Sequence, residues 1–410
     1  NIKTIKTIPL KLKGSYPAKF QIRGEIIIEK HDFLKMNKKR VENGLEPYMN
    51  PRNTASGSLK LQDSSETAKR PLKCFLYQIV SSEQNYKTQN DYLVEALDWG
   101  FNISKTYKLC NNLSQVMSYI NYWDEERDNL NYEIDGIVVK VNDINYQKEL
   151  GFTSKYPRWS IAYKYKTEQA ITKLLSVSYQ IGRTGAATPV ANLEPVLLGG
   201  TYVRRASLHN EDQINKFDLH INDFVYVEKG GEIIPKIVGV NLIRRDVKSK
   251  KIKFIENCPS CFKVLSRNES ESHHYCLNFN NCPTQITGRV QHFISRKAMD
   301  INGLGNETID LLYKGGLISN YADLYNLKKD DLFLLDRMAE KSINNIFNGL
   351  EESKNIPFER VLFALGIRYV GQTVAKKLAK AFKSIDNIMS KKLEDLLLVD
   401  EIGERISHSI

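Results

Sequence analysis

The stretch YEIDGIVVKVN, residues 132–142, reads as a buried β-strand with a charge set into it. Ile137, Val138 and Val139 are apolar and β-branched, the side chains a pleated surface favours, and Val141 resumes the run after Lys140. The Asp135-Gly136 pair ahead of them is a turn signal. A lysine in such a run is either a solvated guard on an edge strand or a cation aimed at a ligand. The rest of the chain has to decide between the two.

The chain has 410 residues, 41% hydrophobic and 26% charged, which is the composition of a globular protein too long for one core. No window approaches the roughly 18 apolar residues of a membrane-spanning helix, and no strongly basic amphipathic helix points to a membrane surface. The opening NIKTIKTIPLKLKG lacks the apolar core and cleavage pattern of a signal peptide. It also lacks an initiator Met, from which we expect a chain cut upstream. With 59 Lys+Arg against 48 Asp+Glu, the net charge of +11 favours a polyanionic partner, nucleic acid first. Cys74 and Cys110 are isolated, whereas Cys258, Cys261, Cys276 and Cys282 cluster, which suits a reduced compartment and one metal site better than a disulfide scaffold.

Residues 1–166 mix short β-rich runs (QIRGEIII, KCFLYQIV, DGIVVKV, SIAYKY) with helical stretches such as DYLVEALDWG, an α+β pattern. Across 167–250, alternating runs separated by turn residues, among them DFVYVEKGGEIIPKIVGV, predict a small β-barrel. Residues 251–285 hold the cysteine cluster, and 286–410 read as all-α. There MDINGLGNETIDLLYKGGL, LFALGIRYVGQTVAKKLAKAF and VDEIGERISHSI look like copies of one degenerate unit.

The cysteines follow C-x2-C-x14-C-x5-C. Four thiolates close a tetrahedron and leave no open position, so the expected ion is one structural Zn²⁺, with an iron–sulfur site as the alternative. His273 and His274 lie close enough to replace a ligand. In the repeats, Gly303-Leu304-Gly305 would let backbone N–H groups approach a phosphate at a helix N-terminus, a contact that positions DNA without reading bases. Ala339 and Glu401 stand where such a turn would want glycine, though Lys341 and Arg405 remain for ionic contacts. In the barrel, Arg183 in QIGRTG, with Arg204 and Arg205, offers further phosphate donors.

Taken together, RGE (residues 23–25), NPRNTASGSL (50–59), FLYQI around Tyr77, IDGIVVKVN, PRWSIAYKY (157–165), IGRTGAATPVANLEPV, SLHN and the four cysteines resemble the bacterial NAD⁺-dependent DNA ligases, in the family's order and over essentially the whole chain. The resemblance implies a multidomain chain: an α+β nucleotidyltransferase (adenylation) domain, an OB-fold β-barrel, a small four-cysteine zinc finger and an all-α helix-hairpin-helix domain. It places Lys140 and Lys164 in an adenylate pocket, able to stabilise charge at the α-phosphate. Glu25 would hold ribose or help hold a divalent ion, and Asp135 would support the metal side. Tyr77 would stack on adenine, and Arg52 and Arg127 would bind nucleotide or nick phosphate. Arg70 and Arg158 would contact the DNA backbone. The implied cofactors are NAD⁺ as AMP donor and Mg²⁺ or Mn²⁺. The implied partner is nicked double-stranded DNA, encircled by a monomer in the bacterial cytoplasm at the nucleoid.

Three departures matter. The family's nucleophile is the lysine of Lys-x-Asp-Gly, whereas here Glu133-Ile134-Asp135-Gly136 carries glutamate at that position. The nicotinamide-mononucleotide-binding and BRCT domains of the family are not in this sequence. Lys60 stands where the family often shows arginine, which keeps the charge but loses the bidentate fork. The expectation is therefore the middle of a ligase that cannot adenylylate itself but can seal a pre-adenylylated nick. The alternatives are a non-catalytic nicked-DNA-binding remnant and a relative of ATP-dependent ligases or capping enzymes.

Overall fold

The structure is a computed structural model that describes residues 1–410 except 81–85, 154, 231–233, 270, 334 and 336–337. Residues 231–233 of the last barrel stretch and Arg337 ahead of Ala339 therefore lie outside the described residues. The chain forms two compact units. One is Asn1–Gln169 with Leu197–Tyr202 and Lys229–Ile233; the other is Ala170–Val196, Val203–Glu228 and Ile234–Ile410.

In the first unit, β1 (Gln21–Ile28) pairs antiparallel with β2 (Leu72–Val80), and β3 (Gly136–Lys140) with β4 (Ser160–Lys164), as two separate two-stranded sheets. The helix Pro51–Leu59 starts where its sequence says it should. Asn50 caps it by accepting from the Asn53 N–H, and proline fills the first turn. Leu76, Ile79, Tyr92, Ala96, Trp99, Phe101, Ile103 and Ile144 form a core that joins β2 to the helix Gln89–Asp98.

Two expectations for the opening stretch need correcting. The β3–β4 ribbon is not a buried strand, since Val138 is 58% and Ile161 70% exposed. Nor is Gly136 a turn residue, because it is the first residue of β3 and pairs with Lys164. Glycine is needed there for a different reason: a Cβ would run into the carbonyl oxygen of Tyr163 on the partner strand.

In the second unit, β5 (Gln169–Ile181), β6 (Ala186–Leu198), β7 (Thr201–Ser207), β8 (Phe224–Gly230) and β9 (Ile234–Val240) run in the order β6-β5-β8-β9-β7, and a β6–β7 pairing closes the ring. This is the five-stranded barrel that the alternation anticipates, with Leu174, Ala187, Ala191, Val225 and Val227 buried. The cysteine segment continues the same sheet. β11 (His274–Cys276) pairs with β6 and with the short β10 (Leu265–Ser266). From Pro283 onward the chain is helical, around two apolar clusters, one including Val290, Ile309, Leu312, Ile343 and Ile346, the other Leu362, Val370, Leu378 and Ile402. Among the described residues, no helix is long and apolar enough to cross a membrane.

Candidate functional site

Strand alternation and the β3–β4 register put Lys140 and Lys164 on one face of the ribbon. Gly136, Val138 and Lys140 share a face, and the residues paired with them are Lys164, Ala162 and Ser160. The two lysines therefore stand at opposite ends, about 13 Å apart along the strands, over a floor of small side chains.

Each lysine is held differently. Lys164 Nζ lies 2.6 Å from Asp135 Oδ2, and Arg52 Nη1 lies 3.4 Å from the same oxygen. Burial pushes the Asp135 carboxyl up, but the Lys164 hydrogen bond and the two cations outweigh it and hold the group below its usual range. Lys140 is half-buried and has no carboxylate partner among the described residues. Its Nζ donates to the Tyr77 carbonyl at 3.0 Å and lies 4.8 Å from the centre of the Tyr77 ring. Burial pushes this ammonium down to about 8.

Tyr77 is available because the β1–β2 register slips. Arg23 pairs with Gln78 and Gly24 with Leu76, so Tyr77 is left over as a bulge with its ring exposed. Gly24 lets the strands meet there, since a Cβ would lie 2.7 Å from Cys74 Sγ. Glu25 is exposed on β1 opposite Phe75; its charge, after burial, helps push the Cys74 thiol up.

The other expected residues are more scattered. Arg127 lies 5.0 Å from the ring centre of Tyr165, which follows Lys164 and alternates to the other side of the strand. Arg70 and Arg40 lie 5.0 and 4.0 Å from the ring centre of Tyr48, beside a cleft of about 310 Å³ lined also by Asn50, Asn53 and Gly57. Arg158 is exposed ahead of β4. Arg183 is not a free surface donor. It is half-buried, packs against Gly288, and donates to the Gly366 carbonyl at 3.3 Å, so it ties the barrel loop to the helices.

The four cysteine sulfurs lie within 4.8 Å of one another, with Cys258–Cys282 at 3.9 Å and Cys261–Cys276 at 3.5 Å. Sulfurs bound tetrahedrally to zinc at roughly 2.3 Å stand about 3.8 Å apart, so the set fits Zn²⁺. His274 is not needed as a ligand; it stacks on Phe254 and faces Glu211 at 3.6 Å.

The helical copies align residue for residue. Gly305, Ala339, Gly371 and Gly403 are N-caps, and none makes a side-chain cap hydrogen bond. Two residues earlier, Gly303, Tyr369 and Glu401 adopt φ of 89°, 65° and 64°. Glu401 therefore fills the left-handed turn position and not the helix N-cap, which in the last copy is a glycine, Gly403. Gly371 and Gly403 were not singled out from sequence, although stacking the copies on their apolar middle residues Leu304, Val370 and Ile402 would have exposed both.

A two-lysine ribbon, a five-stranded OB-type barrel, a four-cysteine module and glycine-capped helical hairpins follow one another along the chain, which defines a class of multidomain protein with an OB-fold and helix-hairpin-helix repeats. Comparison with known sequences narrows this class. Residues 1–168 match the NAD-dependent DNA ligase adenylation domain, 171–249 the NAD-dependent DNA ligase OB-fold domain, and 360–410 a helix-hairpin-helix motif. Over its full length the chain is 61% identical to a DNA ligase of Flavobacterium johnsoniae, 54% to one of Bacteroides fragilis and 48% to one of Azobacteroides pseudotrichonymphae. The chain belongs to the NAD-dependent DNA ligase family. It spans 61–62% of the length of these relatives.

Proposed function

We propose that the chain supplies the adenylate pocket and the DNA-holding modules of an NAD⁺-dependent ligase that joins a 3′-hydroxyl to a 5′-phosphate at a nick in double-stranded DNA. The observation that carries this is the pair of lysines on one face of the β3–β4 ribbon, one anchored by Asp135 and one poised over Tyr77. A phosphoryl transfer asks a protein mainly for positioning and charge neutralisation, which two cations over an open floor can provide.

No Lys-x-Asp-Gly occurs in these 410 residues, so we assign this chain the step that needs no lysine nucleophile. There the 3′-hydroxyl oxygen bonds to the 5′-phosphorus of adenylylated DNA. The phosphoanhydride bond to AMP breaks, AMP leaves with the electron pair, and the hydroxyl proton passes to solvent. Lys140 and Lys164 offset the charge on the phosphate, while Asp135 orients Lys164. Mg²⁺ would supply further charge neutralisation. Glu25, exposed on β1, would help hold it, whereas Asp135 already holds two cations. Arg70, Arg158 and the hairpins at Gly305 and Gly371 would grip the duplex, and the cysteine tetrahedron would hold a structural Zn²⁺. Arg52, beside Asp135, would contact the nucleotide or nick phosphate. The test is sealing of a pre-adenylylated nick by Lys140→Ala and Lys164→Ala. At least a hundredfold loss in each is expected, and wild-type rates in both would refute the pocket.

A further inference from the structure

Two buried glutamines connect Lys140 to Tyr77 through the interior. Gln89, at the start of the helix Gln89–Asp98, is 7% exposed, and Gln147, in the helix Ile144–Leu150, is 8% exposed. Gln147 Nε2 donates to the Val141 carbonyl at 2.7 Å and to Gln89 Oε1 at 3.3 Å. Gln89 Nε2 donates to the Tyr77 carbonyl at 3.3 Å, the same oxygen that accepts from Lys140 Nζ. Lys140 and Val141 are consecutive, so these bonds close a ring: Lys140, Tyr77, Gln89, Gln147, Val141.

The ring bridges a gap in the fold. Tyr77 is on the β1–β2 sheet and Lys140 on the β3–β4 sheet, and among the described residues no ladder joins the two. Backbone bonds reinforce the crossing, from the Gln89 N–H to the Asn142 carbonyl at 2.7 Å and from the Ile144 N–H to the Lys87 carbonyl at 3.0 Å. Buried amides stabilise little in net terms but cost much when a partner is lost. Such a pair suits holding two elements in register better than filling space.

We propose that Gln89 and Gln147 are positioning residues, whose amide relay sets the Tyr77 bulge against the Lys140 ammonium so that the cation is presented to the phosphate of a bound adenylate. This rests on the ligase reading above. It predicts that the relay acts through Lys140 and through no other group in the pocket.

The experiment measures AMP affinity of the 410-residue chain by calorimetry for wild type, Gln89→Met, Gln147→Met, Lys140→Met and the Gln147→Met/Lys140→Met double variant. Each glutamine variant is expected to bind AMP roughly fivefold more weakly, the loss of about one aligned hydrogen bond. In the Lys140→Met background, Gln147→Met should add nothing. An equal further loss in that background, or unchanged affinity in both glutamine variants, overturns the proposal. The second readout needs no nucleotide: the ¹³Cε resonance of Lys140, assigned with Lys140→Arg, should shift in either glutamine variant. An unmoved resonance overturns the relay. Failure of wild type to bind AMP would instead sink the ligase reading, leaving the relay to stand or fall on the resonance. If Gln147→Met does not fold, the milder Gln89→Met carries both readouts.

Discussion

The Lys140 ammonium lies 3.0 Å from the carbonyl oxygen of Tyr77 and 4.8 Å from the centre of the same residue's ring. The cation is held by a neutral carbonyl and a ring face, and among the described residues no carboxylate pairs with it. Burial pushes it down to about 8, against an ordinary lysine value of roughly 10.4. Lys140 is thus cationic below about pH 8 and neutral above. AMP affinity should fall about tenfold from pH 7 to pH 9, the loss of a charge-assisted contact, and Lys140→Arg should remove the dependence. Between about pH 8 and 10.4 the unfolded state binds more protons than the folded one, so stability rises with pH across that window. Lys140→Met should accordingly be the more stable protein at pH 7, by about 1 kcal/mol, with the gap closing toward pH 10 in denaturant titrations.

Gly136→Ala would drive a methyl group into the Tyr163 carbonyl and unzip β3 from β4. We expect a cost on the order of 3 kcal/mol in chemical denaturation, with loss of AMP binding. Gly57, inside the helix Pro51–Leu59, has open space where its Cβ would go. Gly57→Ala should be neutral or stabilise by up to about 1 kcal/mol.

The N-cap of the helix Asn306–Lys314 is a glycine with no side-chain cap and open space around it. Gly305→Asp should stabilise the fold by about 0.5 kcal/mol through capping and the helix dipole. The same carboxylate would repel a phosphate, so affinity for nicked duplex should fall about tenfold at low salt. A variant with higher stability and unchanged DNA affinity would remove this hairpin from the DNA contacts.

Metal analysis should find one Zn²⁺ per chain. Stripping it with a chelator should expose the four clustered thiols to a thiol reagent and lower the unfolding temperature. Cys258→Ser should do the same without chelator.

The legible parts of this protein are those where chemistry constrains residue type at short range. Cys258, Cys261, Cys276 and Cys282 can be read because few other uses explain four thiols at that spacing, and they do converge. Lys140 stands out as a charge in a β-branched run. Tyr77 as a bulge, the Gln89–Gln147 relay and the burial of Arg183 against Gly288 and Gly366 depend on segments that meet only after folding. The misread Gly136 shows the same limit: an Asp-Gly pair signals a turn locally, but the demand for glycine comes from Tyr163, which lies on the partner strand.

The most direct measurement offers the chain two nicked duplexes, one with a plain 5′-phosphate plus NAD⁺ and Mg²⁺, the other with a 5′-adenylate plus Mg²⁺. The account predicts sealing of the adenylylated nick alone, abolished by Lys140→Ala. Sealing of the plain nick would contradict the assignment of this chain to the final step, and sealing of neither would contradict the pocket itself.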